Sequence, residues 1–98
     1  MNVTYHLQDK EFEWDDDKAN SNLQKHGVSF EEAAEVFFDP FFQTGDATVD
    51  EDEEREFIVG YTFNQRLLLT VYTERGNRTR IISARSTTRA ERELYEEA

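Results

Sequence analysis

The chain has no cysteine, one proline, one tryptophan and only two histidines among its 98 residues. Without thiols there is no disulfide framework and no thiolate zinc site, and His6 and His26 stand too far apart in sequence to read as a metal-ligand pair. A Gly-rich phosphate loop is also missing, so neither a cofactor nor a metal is expected. No apolar run reaches the roughly 20 residues needed to cross a bilayer, and Met1-Asn2-Val3-Thr4-Tyr5 lacks the basic and apolar regions of a signal peptide. A cytoplasmic protein without membrane contact is the expectation.

What is plentiful is charge, and it is divided along the chain. Met1 to Glu56 holds 17 acids against Lys10, Lys18, Lys25 and Arg55, a formal −13. From Arg66 to Arg92 the balance reverses: seven arginines, with no lysine or histidine, face only Glu74 and Glu91, a formal +5. A guanidinium keeps its charge at any physiological pH and offers a planar fork of donors, which suits phosphate better than a lysine point charge does. The net charge of −11 slows encounter with a polyanion. Yet at physiological ionic strength the screening length is about 8 Å, so acids on a far face matter less than an arginine touching phosphate. The arginines are expected to gather in one cleft that a phosphate backbone can enter.

Eight phenylalanines, four tyrosines and Trp14 supply one modest core. A single domain over residues 1–98 is expected, with 1–11 as an N-terminal extension and a partner or oligomer as added support. Val3 to Leu7 reads as an extension or short edge strand, and Phe12-Glu13-Trp14 can enter a sheet. Asp15 or Asp16 caps a first helix, which Lys25-His26-Gly27 closes with cations and an αL residue. Its apolar face is thin, with Ala19 and Leu23 helped by Trp14, so tertiary packing must hold it. Ser29 with Glu32 makes a capping box for a second helix carrying Phe30, Ala33, Ala34 and Phe37, ended by Asp39-Pro40. Phe41-Phe42 opens a short strand. Six acids among the nine residues from Asp46 to Glu54 then read as a solvated connector, or as a docking site for a basic partner.

Phe57 to Thr62, Arg66 to Thr73 and Arg78 to Ala84 form an antiparallel meander. By period 2, Leu67, Leu69 and Val71 share the face expected to meet the helices, opposite Arg66, Leu68, Thr70, Tyr72 and Glu74. A two-residue turn at Arg75-Gly76 or Gly76-Asn77 puts Ile82 and Ala84 on the core face and Ile81, Ser83 and Arg85 beside Tyr72. A three-residue turn reverses that parity and brings Arg78 and Arg80 beside Glu74. Thr88 with Glu91 caps a final helix holding Arg89, Arg92 and Tyr95.

Metal-free cleavage of RNA needs a base for the ribose 2′-OH, an acid for the leaving 5′ oxygen, and cations for the charged phosphorane. His26, Glu74 and the arginines are of those types. His26 reads as a proton-transfer group or as a helix-end residue, and Glu74 as a base, an orienter of Arg80 or Arg85, or one half of a surface ion pair. Arg80 and Arg85 are candidates for transition-state contact; Lys25, Arg66, Arg78 and Arg89, with Arg92, are candidates for phosphate. Tyr72 and Trp14 read as packing residues or as base-stacking platforms.

The order of several blocks is more specific than any one of them: Phe12-Glu13-Trp14-Asp15, Lys18, Asn22, Lys25-His26-Gly27-Val28-Ser29-Phe30-Glu31-Glu32-Ala33, Asp39-Pro40, Thr73-Glu74-Arg75-Gly76, Arg80-Ile81-Ile82-Ser83-Ala84-Arg85, Thr88-Arg89, Glu91-Arg92 and Tyr95. From Phe12 to Tyr95 the chain resembles BrnT-type toxins. Together with the elements above, the resemblance implies an α+β, RelE-like fold in which two N-terminal helices pack on an antiparallel sheet of three to four strands, with a C-terminal helix. It further implies a metal-independent endoribonuclease that inhibits growth. A BrnA-like antitoxin would neutralise it as a hetero-oligomer and carry it to operator DNA only indirectly. Lys25, His26, Glu74, Arg80 and Arg85 are the functional set it points to. The N-terminal extension and the acid-rich loop depart from the family pattern. The competing reading is a non-catalytic domain that binds an antitoxin or another protein in operon regulation.

Overall fold

The computed structural model describes residues 1–98. In chain order the elements are β1 (Asn2–Leu7), β2 (Lys10–Asp15), α1 (Asp16–His26), α2 (Phe30–Ala34) with a 3₁₀ turn (Glu35–Phe38), β3 (Gln43–Asp46), β4 (Glu56–Tyr61), β5 (Leu67–Arg75), β6 (Arg78–Ser86) and α3 (Arg89–Glu97). One sheet orders its strands β1-β2-β6-β5-β4-β3. The class is α+β, but the expected three to four antiparallel strands are corrected to six in a mixed sheet, with β2 and β6 parallel. Phe12-Glu13-Trp14 enters the sheet as β2, and Glu11 and Glu13 of that strand meet arginines of β6 more than 60 residues away. The stretch expected as an extension pairs with β2 along its whole length, and Val3, Tyr5 and Leu7 pack on the main core.

The caps form where the sequence places them. Asp15 accepts from the Lys18 N–H, Gly27 takes φ 66° after His26, and Thr88 with Glu91 completes a reciprocal box. Ser29 accepts from the Glu32 N–H, but Glu32 turns to Arg66 at 2.6 Å rather than back to the cap.

The main core lies between the sheet and α1–α2. Trp14 packs edge-on against Phe30, and Phe37 packs against both Phe12 and Tyr72. Leu68, Tyr72, Ile58, Ile81 and Ala84 supply the sheet side, while Leu67, Leu69 and Val59 form a second cluster under Tyr95 of α3. The face expected to meet the N-terminal helices is thus the one that meets α3. β5 sits between β4 and β6 and is buried on both sides, so Leu67-Leu68-Leu69 gives period 2 nothing to sort.

Gly76-Asn77 makes the two-residue turn, with Gly76 at φ 60° and Arg75 opposite Arg78. Beyond Tyr72 and Ile81 the register shifts, and Val71 lies opposite Ser83. Ile82 is the extra residue of this bulge, so Ala84 joins Ile81 on the main core face instead of pairing in parity with Ile82. Ser83 and Arg85 then fall on the same face of β6 as Arg78 and Arg80.

α3 has no buried residue and is held by a few directed contacts. Asp39 accepts from the Phe41 and Tyr61 N–H groups at 2.9 and 2.8 Å and from the Tyr95 hydroxyl at 2.6 Å. Burial opposes ionisation of Asp39, but these three bonds outweigh it and hold its carboxyl below the usual range. The 3₁₀ turn approaches β4 closely at Gly60, where a Cβ would stand 2.9 Å from the Val36 carbonyl oxygen.

Candidate functional site

The seven arginines do not gather in one cleft. Each has a carboxylate partner, four from acids upstream and three from glutamates of α3. Arg66 meets Glu32, Arg75 meets Glu53, and Arg78 meets Glu11. Arg80 meets Glu13, Arg85 meets Glu91, Arg89 meets Glu93, and Arg92 meets Glu96. Part of the excess acid in the first half, read as a remote repulsive field, is thus counter-charge for four arginines of the second half.

Several of these pairs brace the fold. Arg80 donates to Glu13 at 2.6 Å and to Asn2 Oδ1 at 2.8 Å, tying β6 to β2 and β1. Beside it Arg78 bridges Glu11 at 3.1 Å, and His6 Nε2 lies 2.8 Å from the same carboxylate. Arg66 reaches across to Glu32 and to the Gly27 carbonyl oxygen at 3.4 Å, propping the turn that follows α1. Arg85 holds Glu91 through both terminal nitrogens, at 2.7 and 2.8 Å. That grip, against a desolvation penalty, draws the Glu91 carboxyl down to about 2 and raises the Arg85 guanidinium further.

Glu74 accepts from the Thr79 hydroxyl at 3.0 Å near the β5–β6 turn. It shares a groove with Asp52, Glu53, Glu54 and Glu56, and the structure does not bring it to His26. Tyr72 is buried and donates to Glu56 at 2.6 Å; burial and that carboxylate raise its hydroxyl well above the ordinary phenol. Trp14 is 2% exposed. Neither ring is available to a base.

The lysines and His26 behave differently. Lys10 lies over the Phe12 and Phe37 rings, and neither Lys18, Lys25 nor His26 has a carboxylate within ion-pair distance. Those three line one groove of about 310 Å³ between α1 and β6, with Ser21, Asn22, Ile82 and Ser83 on its walls and Asp17 at one end. A larger cavity of about 600 Å³ presents Asp46, Glu51, Glu54 and Glu56 around Arg55, a surface that repels phosphate.

Asn22 explains why α1 lies where it does. Its Nδ2 donates to the Ala84 and Val28 carbonyl oxygens at 2.8 and 3.0 Å, and its Oδ1 accepts from the Ala84 N–H at 3.1 Å. The amide therefore completes the free edge of β6 as a neighbouring strand would. The bulge at Ile82 then sets Ser83 against Lys25 and His26, with Arg85 two positions further along the same strand face, about 7 Å away. Lys18, Ser83 and Asn22 were not singled out as site residues. Lys18, Asn22 and Lys25 fall at i, i+4 and i+7 on α1, a one-sided spacing that was legible.

A family model described as the ribonuclease toxin BrnT of type II toxin-antitoxin systems matches residues 14–91. The chain belongs to the BrnT family. The match takes in α1, the groove and Arg85, and stops short of Tyr95. The fold is also that of the Brucella abortus ribonuclease toxin BrnT, whose crystal structure superposes with a TM-score of 0.61 at 20% identity, over 78% of this chain and 94% of that one. No curated protein matches the sequence. No helix of this BrnT-family chain is long and apolar enough to cross a membrane. No group of three or more His, Cys, Asp or Glu side chains is placed to hold a metal ion.

Proposed function

We propose that this chain cleaves RNA at the groove between α1 and β6, as the toxin of a toxin-antitoxin pair. The observation that carries the reading is that Lys18 and Lys25, which have no carboxylate partner, share that one groove with His26. Lys25, near the end of α1, attracts a phosphate, and the Ser83 hydroxyl can donate to it. The ribose 2′-OH attacks phosphorus and the 5′ oxygen leaves; His26 takes or returns the proton at one of those two oxygens. Arg85 stands next along β6 and stabilises the phosphorane if Glu91 releases it. Proton transfer and cationic charge are both present in side chains, so the reading includes independence of added metal. Glu74 has no part in it, Arg66 and Arg80 support the walls, and Arg78 and Arg89 are surface pairs.

An antitoxin of BrnA type is the expected partner, with DNA reached only through the complex. The complete pairing of the arginines favours a second reading, a domain that only binds its partner. Incubation with total RNA in the presence of a chelator separates the two. Cutting should fall at least tenfold in Lys25→Ala and in His26→Ala and persist in Glu74→Gln. Full cutting by both groove variants removes the proposed site, and no cutting by the wild-type chain favours the binding domain.

A further inference from the structure

We propose that Lys18 holds a second phosphate of the bound RNA, so that the strand runs along α1 from His26 toward Asp17. This deepens the ribonuclease reading and rests on it. Lys18 and Lys25 are seven residues apart on one face of α1, with Ser21 between them. At helical rise that is about 10 Å along the axis, more than a single phosphate bridges, so the two ammonium groups engage different phosphates. Both side chains are exposed and neither has a carboxylate within ion-pair distance, in a protein that pairs all its arginines. The acidic first turn, Asp16 and Asp17, repels a backbone that continues beyond Lys18 and ends the track there. His26 and Ser83 mark the reacting end, and Lys18 is a binding residue remote from the chemistry.

The test uses a ten-nucleotide 2′-O-methyl RNA, which lacks the attacking hydroxyl, titrated across a salt series. Lys18→Ala should weaken binding several-fold at low salt and reduce the slope of log affinity against log salt by about 0.7, the value of one single-strand phosphate contact. Lys10→Gln, a charge lost outside the groove, should keep the wild-type slope. An unchanged slope in Lys18→Ala, or an equal loss in Lys10→Gln, overturns the track. If the wild-type chain cuts total RNA while Lys18→Ala binds and cuts like it, only the track fails. If the wild-type chain neither cuts nor binds, the ribonuclease reading fails and takes the track with it.

Discussion

Arg85 and Glu91 form a two-point pair across the β6–α3 junction, with nitrogen–oxygen distances of 2.7 and 2.8 Å. One Glu91 oxygen also accepts the Thr88 N–H at 2.8 Å, so the carboxylate caps α3 and clamps it to the sheet at once. The Arg85 guanidinium, a candidate for phosphate contact, thus also anchors the C-terminal helix.

The pair makes α3 docking sensitive to acid. Glu91 titrates at about 2 in the folded chain against 4.5 ordinarily, and Asp39 is also lowered. A depressed carboxylate stabilises the fold above its ordinary value and loses that contribution as pH falls through its folded one. Near-ultraviolet circular dichroism from the Tyr61–Tyr95 pair should therefore decay between about pH 4.5 and 2, before the Trp14 signal does. Glu91→Gln should shrink that step to the part owed to Asp39; an undiminished step would show that the clamp is not its source.

Tyr95→Phe isolates the other anchor. The ring keeps its edge-on contact with Tyr61 at 5.4 Å, while the hydroxyl bond to Asp39 is lost. A hydrogen bond to a charged, partly buried group contributes about 1.5 kcal/mol, so Tm should fall by roughly 6–12 °C in a domain of this size. Calorimetry showing no change would mean that α3 is held by Arg85 alone.

How much of this was legible follows from where the partners lie in the chain. Caps at Asp15, Ser29, Thr88 and Gly27 are local chemistry, and all were readable from a few neighbouring residues. Phe57, Ile58 and Val59 marked a strand by composition. By contrast, Glu13 meets Arg80 and Asn22 meets Ala84 across more than 60 residues, and nothing in the local pattern announces either contact. The Ile82 bulge has no glycine to mark it, yet it decides which face Arg85 takes. The arginine-rich closing third misled for the same reason: charge was counted along the chain, whereas pairing is settled in space.

Asn22 gives the sharpest stability prediction. It is 7% exposed, and truncation strands the N–H and carbonyl of Ala84 together with the Val28 carbonyl. Buried backbone groups left without partners cost about 1–3 kcal/mol each, partly recovered by water at this edge, so Asn22→Ala should lose about 2–4 kcal/mol in urea unfolding. Asn22→Asp should be no better, because a carboxylate cannot donate to two carbonyl oxygens. A loss under 1 kcal/mol in both would mean that apolar packing, not the amide, fixes α1 to β6.

Glu13 and Arg80 distinguish bracing from chemistry in β6. Glu13 is 8% exposed, and its removal leaves the Arg80 guanidinium, 21% exposed, with Asn2 as its remaining side-chain partner. Breaking a pair this enclosed costs about 2–3 kcal/mol, whereas removing both charges costs less because no ion is stranded. Glu13→Gln should therefore destabilise the chain more than Glu13→Gln with Arg80→Met, and a double-mutant cycle should return a coupling above about 1 kcal/mol. If Arg80 is a brace, the double variant should cut RNA within a few-fold of the wild-type rate once both are folded. A stable double variant that has lost cleavage entirely would return Arg80 to the phosphate, with Glu13 as the residue that aims it.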